Sequence, residues 1–231
     1  MEIICPIHQF EIRYSNILNF PLIIREAIAP FVKLASRIGI DNENSHSERI
    51  TLFFDEQYYQ IVILWDRIYI KVENNGYFSL NENNSIIEEP FLNLFSKISE
   101  MKGFGEIKNC LFFSIFVHPK KDNLDIVIKD FTEKYFTKNS LSLLPNYSDI
   151  GISVEKNDDR SQIFLNFGPY IGADDLKKKN IVIKNTELLK ELECTGEMLE
   201  YKYFENNKNV HFKLYKNIFQ KQDEYIKRLW K

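Results

Sequence analysis

Between residues 49 and 80 the chain is rich in β-branched and aromatic residues, with polar breaks at Asp55-Glu56, Asp66-Arg67 and Asn74-Asn75-Gly76. Runs of strand-favouring residues interrupted by tight-turn residues describe consecutive antiparallel strands. The pattern predicts a four-strand meander at 49-55, 58-65, 67-73 and 76-80. A second constraint is the run Asn109 to His118 (NCLFFSIFVH), apolar almost throughout. Such a run suits a strand covered on both faces, at the centre of a sheet.

Helices fit around these strands. Residues 7-14 alternate and read as a first strand. Asn19 is placed to cap a helix, Pro21 stands in its first turn and Gly39 at its close, which predicts a helix over 20-38. Pro30 should kink that helix near Ala27. Its predicted inward residues are Leu22, Ile23, Ala27, Phe31 and Leu34. Ser85 followed by Glu88 has the capping-box spacing, with Phe91, Leu94, Phe95 and Ile98 at helical intervals up to about Lys102. Asn123 can cap a helix over 124-137, although 124-128 also alternates like a strand. Strands are expected at 149-156, 161-168 and 180-184, with 198-204 a candidate fourth, and 210-230 reads as a long amphipathic helix.

Set side by side, strand 7-14 matches 110-117, helix 20-38 matches 123-137 and strand 49-55 matches 149-156, an offset of roughly one hundred residues. The expected fold is α+β: two pseudo-repeated β-α-β-β-β-β-α units, 1-105 and 106-231, forming one compact unit with helices segregated to one face of antiparallel sheet. That layout resembles the saddle of the TATA-binding protein. The spacing leaves open whether the halves share one sheet.

With 231 residues and 44% hydrophobic content, the chain can build its core without covalent staples. Cys5, Cys110 and Cys194 are odd in number and widely spaced, which argues against a disulfide framework or a zinc knuckle and for a reducing compartment. The first residues lack a signal-peptide pattern, and no apolar run is long enough for a membrane span, so a cytoplasmic protein is expected.

The net charge of -3 conceals an uneven distribution: residues 1-115 carry 10 basic and 15 acidic side chains, against 20 and 18 in the remainder. So weak a global field argues against general phosphate-backbone binding but leaves room for a local basic patch. Lys177, Lys178 and Lys179 form such a patch in a predicted loop. Lys213, Lys216, Lys227 and Lys231 share one face of the last helix, opposite Phe212, Tyr215, Phe219, Ile226 and Trp230. These seven lysines are the candidate partner-binding residues.

No catalytic, cofactor or metal constellation is legible. Walker or dinucleotide glycine spacings are absent, and Gly103-Phe-Gly105 and Gly168 to Gly172 read as a helix end and a strand-linking turn. His8, His46, His118 and His211 stand apart, with His118 expected at a polar rim. Cys110 reads as structural, while Cys5 and Cys194 look more accessible but have no histidine nearby. The acidic pairs Asp55-Glu56, Glu88-Glu89, Asp158-Asp159 and Asp174-Asp175 fall at turns or helix starts, where carboxylates cap or are solvated.

The segment Cys5-Pro-Ile-His-Gln-Phe-Glu-Ile-Arg-Tyr14 resembles the opening of a sporadically distributed bacterial family that begins with Pro-Ile and a Phe-Glu-Ile-Arg-like strand. Residues 161-168 and Val210 to Phe219 resemble that family's late apolar strand and closing helix. His8 departs from its usual pattern, and the late strand lacks its usual acidic pair. The resemblance implies full-length coverage and no established activity, and its patchy carriage implies an accessory role. The expectation is a non-catalytic protein-interaction module of an antiviral defence or toxin-neutralising system, its partner encoded nearby. Nucleic-acid binding through the sheet or the lysine-rich surface is the alternative, and an active site assembled only by folding is a third possibility.

Overall fold

The apolar run expected at the centre of a sheet is found there. In the computed structural model, which describes residues 3–73, 87–142, 147, 149–206, 208 and 212–230, strand β6 (Ile107–Lys120) lies between β1 (Ile4–Tyr14) and β9 (Thr195–Glu205). Outward from β1 come β5 (Arg67–Val72), β4 (Tyr59–Leu64), β3 (Arg49–Phe54) and β2 (Arg37–Asp41). Outward from β9 come β8 (Ser161–Tyr170) and β7 (Ile152–Asn157). Every pairing is antiparallel, and the result is one nine-stranded sheet.

The helices are α1 (Phe20–Val32), α2 (Asn93–Ser99, entered through a π-helical turn at Ile87–Leu92), α3 (Leu124–Tyr135), α4 (Lys138–Leu141), α5 (Ala173–Lys178), α6 (Thr186–Glu191) and α7 (Phe212–Leu229). Helices α1, α2, α3 and α7 cover one sheet face. There Phe10, Ile12, Phe112, Phe116, Leu199 and Tyr201 meet Ile24, Phe91, Phe131 and Tyr215 in the larger core. Each such large side chain contributes roughly 2 kcal/mol on burial. The expectation that all helices share that face is corrected: α5 and α6 pack on the other side, over Ile4, Ile7, Ile115 and Val117. Successive residues of β6 point to opposite faces, so one apolar run supplies both cores, as a doubly covered strand must.

The first helix is shorter than expected. It ends at Val32, two residues beyond Pro30, and Arg37–Asp41 forms an edge strand paired with β3 instead of a final helical turn. Pro30 thus marks a terminus, not a mid-helix kink. Gly39 does not close the helix but lies opposite Thr51 in β2. Asn19 holds the N-cap position without a side-chain capping bond. Ile23, Ala27 and Phe31 do pack inward, whereas Leu22 and Leu34 are exposed and Phe20, Ile24 and Ile28 are buried instead.

Asn123 caps α3 as expected, accepting a hydrogen bond from the Ile126 N–H at 3.0 Å. The expected strand at 180-184 does not form. Asn180, at φ 59°, reverses the chain after α5, and Asn185 accepts from the N–H groups of Glu187 and Leu188 to start α6. The candidate strand at 198-204 is the core of β9. The expected strand at 76-80 and the Ser85 capping box lie outside the described residues.

Candidate functional site

Away from α5 and α6, no helix among the described residues covers the sheet face opposite the main helical layer, and the strand register sets what that face presents. Pairings across the sheet align Arg37, Phe53, Gln60, Lys71, Gln9, Phe113, Lys202, Phe164 and Glu155, one residue from each of the nine strands. A neighbouring row runs Thr51, Val62, Tyr69, Glu11, Leu111, Phe204 and Gln162. Phe53, Tyr69, Phe113, Phe164 and Phe204 are each partly exposed. The Lys202 ammonium lies 5.7 Å from the Phe113 ring centre and 5.5 Å from that of Phe164, within cation–π range.

The charges on this face are largely matched within it. Glu11, only 4% exposed, accepts from Arg13 at 2.5 Å and lies 3.5 Å from Arg67. Arg67 also pairs with Asp66 at 2.8 Å, and that hydrogen bond holds the Asp66 carboxyl below the usual carboxylate range. Arg49 pairs with Asp41 at 3.1 Å, Arg37 with Asp55 at 2.9 Å and Lys202 with Glu200 at 2.5 Å. Paired Arg–carboxylate groups between aromatic rings give a face that is polar without being strongly electropositive.

The lysines singled out from sequence are dispersed. Lys177 and Lys178 are exposed on α5, a helix and not a loop, and pair with Asp174 at 2.7 Å and Asp175 at 2.9 Å. Lys179 turns onto the sheet and holds Glu200 at 2.6 Å. Lys213, Lys216 and Lys227 are exposed on α7, in the opposite layer, and Lys227 bonds Asp223 at 2.5 Å. Tyr215, Phe219, Ile226 and Trp230 face the core. Lys231 and the Phe212 side chain lie outside the described residues. The structure therefore separates the two basic groups and brings Lys179, not the α7 lysines, to the partly open face.

His8 is wholly buried. Its Nδ1 lies 2.7 Å from Ser114 Oγ and its Nε2 3.2 Å from the Tyr215 hydroxyl, with the Phe112 and Phe219 rings edge-on. Burial pushes its pKa down to about 3, so the ring is neutral at physiological pH. A serine hydroxyl beside an imidazole has the outline of a nucleophile and its base, but Ser114 and His8 are both 0% exposed, so this pair is a clamp between β1, β6 and α7. His118, opposite Glu197 in β6 and β9, is partly exposed at one end of the sheet, and burial lowers its pKa. His46 is exposed against the Trp65 ring, and His211 lies outside the described residues.

Cys5 is fully buried, contrary to the accessibility expected of it, because β1 begins at Ile4 and carries it into the main core. Cys110 is buried too, and burial pushes its thiol up to about 12. Cys194 is partly exposed. Among the described residues no three histidine, cysteine or carboxylate side chains gather as a metal site, and no described helix is long and apolar enough to cross a membrane.

Sequence reading missed the open face because each strand contributes a single residue to a row. The available signal was the polar half of each alternation: Gln9, Glu11 and Arg13 in β1, and Arg67, Tyr69 and Lys71 in β5. No family model matches the sequence, and no curated protein matches it.

Proposed function

We propose that the protein is a non-catalytic interaction module that docks another protein on its open sheet face. The observation carrying this reading is the row of partly exposed aromatics interleaved with Arg37 and Lys202, cations that already have carboxylate partners. Aromatic residues and Arg are enriched at the cores of protein interfaces, and preformed charge pairs bring specificity without a large net field. A phosphate backbone would have to displace Glu11, Asp66 and Glu200 from their cations, which makes nucleic acid the second reading. In its favour, Phe113 and Phe164 flank Lys202 as a stacking platform for single strands would require.

Two further inferences belong to this proposal. The strand order reads β1-β5-β4-β3-β2 in one direction from the centre and β6-β9-β8-β7 in the other, which supports a duplicated unit and a saddle-like layout resembling that of the TATA-binding protein. The resemblance to a patchily carried bacterial family supports a partner encoded nearby, within a defence or toxin-neutralising system.

The test is co-purification of the native protein with neighbouring gene products, compared with a Phe113→Glu, Phe164→Glu variant. Loss of the partner at unchanged thermal stability supports the reading. A partner retained by the variant overturns it, and binding of single-stranded oligonucleotide that weakens with added salt transfers the face to nucleic acid.

A further inference from the structure

At the end of the sheet where the segment between α5 and α6 passes β5, a cavity of about 220 Å³ opens. Its walls include Phe53, Tyr58, Gln60, Lys71, Glu73 and Lys184. Two ammonium groups serve it from different elements. Lys71 comes from the sheet row, and Lys184 from the segment before α6, its Nζ 4.9 Å from the Phe53 ring centre. Desolvation lowers the Lys71 pKa, opposed by Glu73 and reinforced by Lys184.

The acids nearby are already engaged. Glu73, 9% exposed, accepts the backbone N–H groups of Lys184 at 2.7 Å and Asn185 at 3.0 Å, which pins the segment to the sheet. Asp55 accepts from Arg37 at 2.9 Å. The lining sets Lys71 and Lys184 against Glu73 and Asp55, but Asp55 is also held by Arg37 and Glu73 is turned to two backbone N–H groups, so the two ammonium groups remain able to attract an anion, and do so more strongly in a partly desolvated recess than in open water.

Tyr58 supplies a second observation, independent of charge. It is 43% exposed and held at φ 50°, ψ 42°, a left-handed conformation that costs a side-chain-bearing residue about 1–2 kcal/mol. Its carbonyl accepts the Glu73 N–H at 2.8 Å, which fixes the strained residue beside the cavity. Glycine or asparagine would adopt this turn at less cost, yet a tyrosine stands here, lining the cavity together with Phe53.

We propose that this cavity binds a small aromatic anion, its phosphate or carboxylate between Lys71 and Lys184 and its ring against Phe53 and Tyr58. The site shares Phe53, Gln60 and Lys71 with the row of the open face, and binding of a small ligand from solution is read separately from the docking of a protein there. Gln60, adjacent to Phe53 and Lys71 in the row, offers an amide to a polar substituent on the ring.

The test uses phenyl phosphate as probe, with inorganic phosphate and phenol as its two halves, titrated into the intact protein and followed by amide chemical shifts. Phenyl phosphate should shift Phe53, Tyr58, Lys71 and Lys184 together, and bind at least about tenfold more tightly than either half. Lys71→Met and Lys184→Met should each weaken it about tenfold, the worth of one charge-assisted contact. Lys177→Met, at an exposed lysine that pairs with Asp174 and does not line the cavity, should leave affinity unchanged, and thermal unfolding checks that each variant folds. No shifts at ~10 mM probe, or shifts that persist in a folded Lys71→Met, Lys184→Met double variant, would overturn the proposal.

Discussion

The indole Nε1–H of Trp230 donates to Glu197 Oε2 at 2.7 Å, with both residues 4% exposed. This bond ties the end of α7 to β9, and Lys134 and Tyr135 of α3 reach the Leu229 carbonyl at 3.5 and 3.4 Å. Glu197 has a further cation, Lys120, at 4.0 Å. Trp230→Phe removes the donor and part of the packing against His118 and Phe167, so it should cost about 2–4 kcal/mol in urea unfolding. Glu197→Gln retains an acceptor and should cost less. Hydrogen exchange should localise the loss in Trp230→Phe to α7.

His8 makes stability depend on pH in a defined window. Its folded pKa of about 3 lies below the ordinary imidazole value of 6.5, so between those values the unfolded chain binds the additional proton. Stability is therefore intact above the ordinary value and is lost as pH falls toward the folded one. From pH 7 to pH 5 this one group should remove about 2 kcal/mol, at ~1.4 kcal/mol per unit of displacement. His118 acts with the same sign but is retained in a His8→Gln variant. Urea unfolding of that variant should show a correspondingly shallower decline over the same range, whatever its absolute stability. An unchanged slope would mean that His8 accepts a proton in the folded protein.

The three thiols should divide by accessibility. Cys5 and Cys110 are each 0% exposed, and Cys194 is partly exposed with its thiol raised by burial and by Glu193. Because the thiolate is the reactive species, Cys194 should be the first of the three to react with a disulfide reagent in the native protein, and slowly. Cys5 and Cys110 should follow only on unfolding. Mass-spectrometric mapping of the modified residue checks the order, and early labelling of Cys5 would contradict its place in the core.

What could be read from sequence was what local chemistry determines. Asn123 caps α3 because its own side chain reaches the Ile126 N–H, and the β-branched and aromatic runs of β3, β4 and β5, set apart by polar turns, declare themselves locally. The helix expected over 20-38, with Gly39 at its close, takes in Arg37 and Ile38 of β2 because the strand character of Arg37–Asp41 comes from its pairing with β3. Residues 180-184 hold the β-branched run Ile181-Val182-Ile183, yet Asn180 and Asn185 divert the backbone on either side, and Glu73, over a hundred positions earlier, holds Lys184 and Asn185. The open face was illegible for a related reason: the adjacency of Phe113 and Lys202, or of Lys71 and Gln9, exists only once the register is set.

Gly196 is the position where side-chain size should matter most. It pairs with Pro119 of β6 and with Tyr170 of β8, and a Cβ added there would collide with the His118 carbonyl oxygen. The neighbouring atoms are backbone, held in the β6–β9 ladder, so they cannot yield as a flexible side chain would. Gly196→Ala must either part β6 from β9 or shift their register, and a one-residue shift would turn Leu199 and Tyr201 away from the main core. A loss above about 3 kcal/mol, or failure to fold, is expected. Gly103→Ala is the control. Its φ of 97° disfavours alanine, but its added Cβ meets nothing within 4 Å, so it should cost only about 1 kcal/mol. Equal effects of the two substitutions in urea unfolding would show that backbone conformation, and not the close approach of β6 to β9, governs Gly196.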